Sequence, residues 1–140
     1  MEWESPVLVD GNIDSQGYSS MLEEHLEASK GMCGLDDTMW FQQDNAPAHS
    51  SKTTKGFLAS KGVRTLPWPP QSPDMNPIEN LWSLIKNELR GKKFPNKKAL
   101  WNAVQDVWYN IPTSKVQRII ESMPRRLFAL RKANGCNTGY

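Results

Sequence analysis

Five prolines fall within eleven residues, Pro67, Pro69, Pro70, Pro73 and Pro77, and no other stretch of the chain limits its fold so sharply. Proline has no N–H and a fixed φ, so this segment can neither extend a sheet ladder nor sit inside a helix. It reads as a stiff connector. Before it stands Val63-Arg64-Thr65-Leu66, an alternating run expected to be a strand. After it, Pro77 suits the first turn of a helix, where the missing N–H costs nothing. That helix is expected to run to about Arg90, burying Ile78, Leu81, Trp82, Ile85 and Leu89 on one stripe. Glu79 then lies in its first turn, with Trp82 packing to fix the helix that carries it.

A second strand is expected over Thr38–Gln43, stopped by Asp44-Asn45-Ala46-Pro47, which puts the Asp44 carboxylate at the C-terminal edge of a sheet. Open α/β sheets place their ligands at that edge. Val7-Leu8-Val9, ended by the turn signal Asp10-Gly11-Asn12, is expected to be another strand. Ser19 or Ser20 would cap a helix through Ala28, with Met21, Leu22, His25 and Leu26 on one face and Lys30–Gly34 ending it. Ser50 or Ser51 would cap a helix to about Lys61, stopped by Gly62. Asn96 would cap the next, with the stripe Leu100, Ala103, Val104, Val107 and Trp108. Pro112 interrupts, a helix through Val116, Ile119, Ile120 and Met123 breaks at Pro124, and a last one spans Arg125–Ala133 before Gly135. Strands alternating with helices indicate an α/β sheet followed by a helical C-terminal tail.

The 140 residues suffice for one domain, and 38% hydrophobic content with six Trp argues against disorder. No apolar run approaches the roughly 20 residues that span a bilayer, and the acidic start Met1–Pro6 is not a secretory signal. Cys33 and Cys136 are read as free thiols in a reducing compartment. The net charge of +2 divides unevenly: residues 1–70 hold five Lys/Arg against ten Asp/Glu (−5), and residues 71–140 hold twelve against five (+7). A basic half of this kind suits either a polyanion such as nucleic acid or a solvated face.

Asp44 and Glu79 are the candidate chemical residues. Two carboxylates about 4 Å apart repel one another and together favour a divalent cation, and oxygen ligands select Mg²⁺ or Mn²⁺ over zinc. Two such ions about 3.5–4 Å apart activate a water or a 3′-hydroxyl and stabilise the leaving oxygen of an in-line displacement. Structural readings stand beside this one. An Asp after a strand is commonly a turn or cap residue, and a Glu in a first helical turn complements the helix dipole. Asp74, in Ser72-Pro73-Asp74, could cap the following helix. His49 could be a surface histidine or touch a phosphate near the metal.

Two segments, Gln42-Gln43-Asp44-Asn45-Ala46-Pro47-Ala48-His49 and Trp68-Pro69-Pro70-Gln71-Ser72-Pro73-Asp74-Met75-Asn76-Pro77-Ile78-Glu79-Asn80-Leu81-Trp82, resemble the catalytic domain of mariner-superfamily DDE transposases, in their Tc-like branch. The 34 residues between Asp44 and Glu79 match that branch's spacing. Gly11–Tyr18 and Ser122–Leu127 are similar to further segments of it, so the likeness covers nearly the whole chain. The resemblance implies an RNase H-like fold with an Asp-Asp-Glu triad holding two Mg²⁺ (or Mn²⁺) ions. It implies DNA cleavage at transposon ends and joining of the freed 3′-hydroxyl to target DNA in cut-and-paste transposition. By position Asp44 matches the second acid and Glu79 the third, while Asp74 and Asn76 match the loop that shapes the site. The family's first acid lies upstream of the segment matched by Gly11–Tyr18, and Asp10 and Asp14 match non-catalytic positions. The expectation is therefore an N-terminally truncated catalytic core, residues 1–140, lacking the first two strands, with 96–140 as its helical tail and no helix-turn-helix domains.

On this reading the chain alone is expected to be inactive, because losing one carboxylate misplaces the ions. Unpaired strand edges favour association with a second copy or with a full-length transposase. The alternative is a non-catalytic DNA- or protein-binding module, with Lys92, Lys93, Lys97, Lys98, Arg125 and Arg126 against DNA phosphates, joined by Arg131 and Lys132. His49 is a further candidate DNA contact. Each basic pair could equally be a solvated helix end. A nuclear location, and no membrane partner, follow from the DNA substrate that the resemblance implies.

Overall fold

In the computed structural model, which describes residues 6–36, 38–70, 72–135 and 138, helices dominate and two very short strands carry the sheet. Cys136, the side chain of Cys33 and Gln71 of the proline segment lie outside the described residues, as does most of the acidic start. The chain divides into two compact units, Met1–Gln71 and Ser72–Tyr140.

In the first unit, helix α1 spans Ser15–Cys33. Its cap, Asp14, lies five or six residues before the expected Ser19 or Ser20, the Asp14 side chain accepting a hydrogen bond from Gly17 N at 2.8 Å. The helix also passes Ala28 and Gly31, ending where Gly34 takes the left-handed conformation (φ 62°) that closes a helix cheaply only with glycine. Strand β1 is Trp40–Phe41, helix α2 is Pro47–Ser50, helix α3 is Lys52–Ser60 and strand β2 is Arg64–Thr65. Ser51 caps α3, its hydroxyl accepting from Thr54 N at 3.1 Å, and Gly62 (φ 68°) follows its end. The strands pair in parallel, Trp40 with Arg64 and Phe41 with Thr65. Leu22 and Leu26 of α1 close on Leu58 of α3, with Phe41 and Val63 packed at their margin.

No strand forms at Val7-Leu8-Val9, which is irregular and exposed. A strand exists only where a ladder partner is offered, and among the described residues β1 pairs with β2 alone. The same lack of neighbours shortens the expected strand Thr38–Gln43 to two residues.

In the second unit, a 3₁₀ turn at Pro73–Met75 leads into α4, Pro77–Leu89. Asp74 does not cap α4. Asn76 does, its Oδ1 accepting from Ile78 N at 3.3 Å, while Asp74 Oδ2 receives the Thr138 hydroxyl at 2.7 Å and its N–H at 3.1 Å. Those bonds, the hydroxyl's first, hold the Asp74 carboxyl below the usual carboxylate range. Helices α5 (Lys97–Tyr109, capped by Asn96), α6 (Thr113–Glu121) and α7 (Met123–Lys132) follow. Pro124 sits in the first turn of α7, not at a break before it, and the junction falls at Ser122. Leu81, Ile85, Met75 and Val116 are buried, and the Trp82 and Trp108 rings meet with centroids 5.7 Å apart. Leu100, expected on the apolar stripe of α5, is exposed, as is Ile120 of α6. Among the described residues no helix is long and apolar enough to cross a membrane.

Candidate functional site

Asp44 stands three residues beyond β1, at the end from which the chain turns into α2. Its Oδ1 accepts the N–H of Ala46 at 2.9 Å and lies 2.7 Å from His49 Nδ1. A carboxylate against that nitrogen selects the tautomer with hydrogen on Nδ1, making it the donor. The Ala46 bond, the largest influence, holds the Asp44 carboxyl below the usual carboxylate range; burial, next in size, opposes it, and His49 adds to the lowering. Oδ2 has no hydrogen-bond partner among the described residues, and the side chain is 57% exposed. One oxygen is thus anchored and the other is open.

The anchor is itself held. Tyr18 of α1 stacks on the His49 ring, centroids 4.1 Å apart and planes tilted by 31°. Its hydroxyl donates to Gln43 Oε1 at 3.0 Å, and Gln43 Nε2 donates to the His49 carbonyl at 3.2 Å. Nearby, buried Thr54 donates to the Ala48 carbonyl at 2.7 Å and lies 3.5 Å from the Ser19 hydroxyl. Asn45 Nδ2 reaches the Trp68 carbonyl at 2.8 Å, tying the Asp44 turn to the start of the proline segment. Pattern reading of the sequence missed Tyr18, because 25 residues separate it from Gln43 and no periodicity links the two.

Burial first, and the negative Asp44 second, push the Tyr18 hydroxyl from 10.0 up to about 12. One of the three tyrosines should therefore ionise late in an alkaline absorbance titration, and Tyr18→Phe should remove that component. The linked stability is fully present below pH 10, where the unfolded chain also keeps this proton, and is lost as pH rises through about 12. Ionisation of all three tyrosines together near the ordinary value would contradict the burial.

Glu79, in the second unit, occupies the first turn of α4 behind Pro77 and the Asn76 cap. It is exposed, and its carboxylate makes no hydrogen bond or ion pair among the described residues. Negative charge there complements the helix N-terminus. Each acid by itself, Asp44 through its open Oδ2 and Glu79 through its exposed carboxylate, offers the oxygen donors that suit a hard divalent cation. No group of three His, Cys, Asp or Glu among the described residues could hold a metal ion by itself.

The basic candidates separate by burial. Lys92, Lys93, Lys97, Lys98 and Arg125 are exposed, as are Arg131 and Lys132. Arg126 is not: it is 3% exposed, and its guanidinium donates to the Asp74 carbonyl (2.7 Å), Asn80 Oδ1 (2.6 Å) and Ser122 Oγ (2.8 Å). It joins the 3₁₀ turn, α4 and the α6–α7 junction, so a phosphate has no access to it.

A protein-family model described as a DDE superfamily endonuclease matches residues 4–101, a range that contains both Asp44 and Glu79. The chain is 44% identical over 133 residues to the transposable element Tcb2 transposase of Caenorhabditis briggsae, covering 94% of this chain and 48% of that protein. It is 43% identical over 100 residues to the transposable element Tc1 transposase of Caenorhabditis elegans, covering 71% and 37%. The catalytic domain of Mos1 mariner transposase superposes with a TM-score of 0.80 at 19% identity, covering 91% of this chain and 65% of that one. The chain spans less than half the length of either Caenorhabditis protein. It belongs to the DDE superfamily endonucleases of the Tc1/mariner transposases, and the Mos1 likeness shows the RNase H-like fold.

Proposed function

We propose that this chain is part of the catalytic domain of a cut-and-paste DNA transposase, in which Asp44 and Glu79 are two of the acids that hold divalent metal. The observation that carries this reading is the Asp44 carboxylate, anchored through Oδ1 and open at Oδ2 at the end of a parallel strand. Solved structures of Mos1 transposase support the metal and the substrate class: they include complexes with Mn or Mg, and a paired-end complex with a transposon end. Asp44 and Glu79 would hold Mg²⁺ or Mn²⁺, two ions in a complete site. When bound, these ions supply activation of the attacking water or 3′-hydroxyl and stabilisation of the leaving oxygen. His49 and the Ala46 N–H keep the Asp44 carboxylate ionised and oriented. The exposed cations Lys92, Lys93, Lys97, Lys98 and Arg125 would face DNA phosphates, and residues 96–140 form the tail of the domain. A DNA substrate supports a nuclear location, and the short two-stranded sheet supports pairing with a second copy or a full-length transposase.

With no three-acid group among the described residues, the 140-residue polypeptide alone is expected to show negligible strand cleavage. The test is Mg²⁺- or Mn²⁺-dependent cleavage and strand transfer on transposon-end DNA, with Asp44→Ala and Glu79→Ala alongside. Cleavage lost in both variants would show that this chain completes its own site and would overturn the expected inactivity. Cleavage unaffected by both would remove the two acids from the reading.

The exposed cations Lys92, Lys93, Lys97, Lys98 and Arg125 favour a second reading, a DNA- or protein-binding module without catalysis. Its signature is affinity that survives both alanine substitutions and falls steeply with salt.

A further inference from the structure

We infer that Tyr18 is a positioning residue for the Asp44 carboxylate, holding Oδ2 outward for a divalent cation through two routes that meet at His49. This rests on the reading of Asp44 as a metal-holding acid. The first route is the ring stack, 4.1 Å between centroids, which fixes the plane of the imidazole whose Nδ1 sits 2.7 Å from Asp44 Oδ1. The second is the relay from the Tyr18 hydroxyl to Gln43 Oε1 and from Gln43 Nε2 to the His49 carbonyl, which fixes the backbone carrying that imidazole. The His49 carbonyl only accepts, so it draws the Gln43 N–H₂ and turns Oε1 toward the Tyr18 hydroxyl, which then donates. Ala46 N completes the set, so both bonds to the carboxylate fall on one oxygen. Were the ring free to turn, Oδ1 would lose its side-chain partner and the carboxylate could rotate about χ2, presenting either oxygen. A long helix thus braces an acid that its own strand, two residues long, is too short to hold.

The test follows Mn²⁺ binding to the full 140-residue chain by paramagnetic broadening of the Ala46 and His49 amide resonances, a signal that registers weak and local binding. Asp44→Ala, Tyr18→Phe and Tyr18→Leu are compared with the unsubstituted chain, and the thermal midpoint and the Leu58 amide report on folding. Tyr18→Leu should weaken Mn²⁺ binding about tenfold or more, the range for partners that orient a metal ligand. Tyr18→Phe, which keeps the stack and loses the relay, should weaken it about threefold, between the two. The His49 ring nitrogen shifts should move toward those of a free imidazole in Tyr18→Leu and stay near their original values in Tyr18→Phe. Loss of broadening in Asp44→Ala with Tyr18→Leu within twofold of the unsubstituted chain would overturn the positioning role alone. Should Tyr18→Leu fail to fold, Tyr18→Phe decides: unchanged binding overturns the role. Broadening absent from the unsubstituted chain, or retained in Asp44→Ala, would overturn the metal reading of Asp44 and the inference with it.

Discussion

Arg126→Leu should destabilise the second unit by about 3–5 kcal/mol, because it leaves three largely buried acceptors without their charged donor. The guanidinium donates from three different nitrogens to the Asp74 carbonyl, Asn80 Oδ1 and Ser122 Oγ, at 2.6 to 2.8 Å. Hydrogen bonds to a charged group contribute about 1.5–3 kcal/mol each, and members of one network do not add fully. Arg126→Lys should recover only a minority of the loss, since an ammonium cannot reproduce a planar fork spanning three elements. Denaturant unfolding of the three proteins measures this. A loss below about 1 kcal/mol for Arg126→Leu would mean that the surrounding groups find water and that the staple is dispensable. Asn80 and Asp74 flank Glu79 on the chain, so the same variant should loosen the start of α4, seen as faster amide exchange there. Arg125, exposed beside it, provides the contrast: its replacement should leave stability unchanged and reduce the salt dependence of DNA binding.

Sequence reading succeeded where a local rule decides. Ser51 and Asn96 cap their helices, Pro77 opens α4, and Gly62 takes the positive φ that ends α3. Each needs only a few neighbouring residues, and the caps foreseen at Ser51 and Asn96 fell within one residue of their places. Reading failed where distant partners decide. Val7-Leu8-Val9 has strand composition and no strand beside it among the described residues. Arg126 has the composition of a phosphate contact, yet Asp74 and Asn80, far away in the chain, bury it. Asp44 was legible as the acid closing an aromatic strand, but the Tyr18 brace behind it was not. Asp14 carries a local signal of the same kind as the later serines: an Asp just before Ser15-Gln16 is an N-cap in its own right. Pro124 suggests a break by composition, yet it opens α7, since the first turn of a helix is where proline is tolerated best.

Leu58→Ala should cost about 3 kcal/mol and lower the melting temperature of the first unit by roughly 10–20 °C, through lost burial and the cavity left behind. Leu58 is 1% exposed and closes the small core made with Leu22 and Leu26 of α1. Two strands of two residues each give that unit little ladder to rely on, so α1 is held mainly by this contact and by the bonds at Tyr18 and Ser19. Loosening α1 should therefore reach Asp44 at a distance: amide exchange at Ala46 and His49 should rise together with exchange in α1. Leu58→Met, which conserves volume, should cost less than about 1.5 kcal/mol and leave the Asp44 turn protected. If Leu58→Ala lowers stability as expected while Ala46 and His49 stay protected, the acid is held by its own turn, and α1 supplies burial without orientation. If protection falls at both, core packing and the geometry of the candidate site are one cooperative structure, and a substitution with no contact to metal or DNA would weaken binding of either.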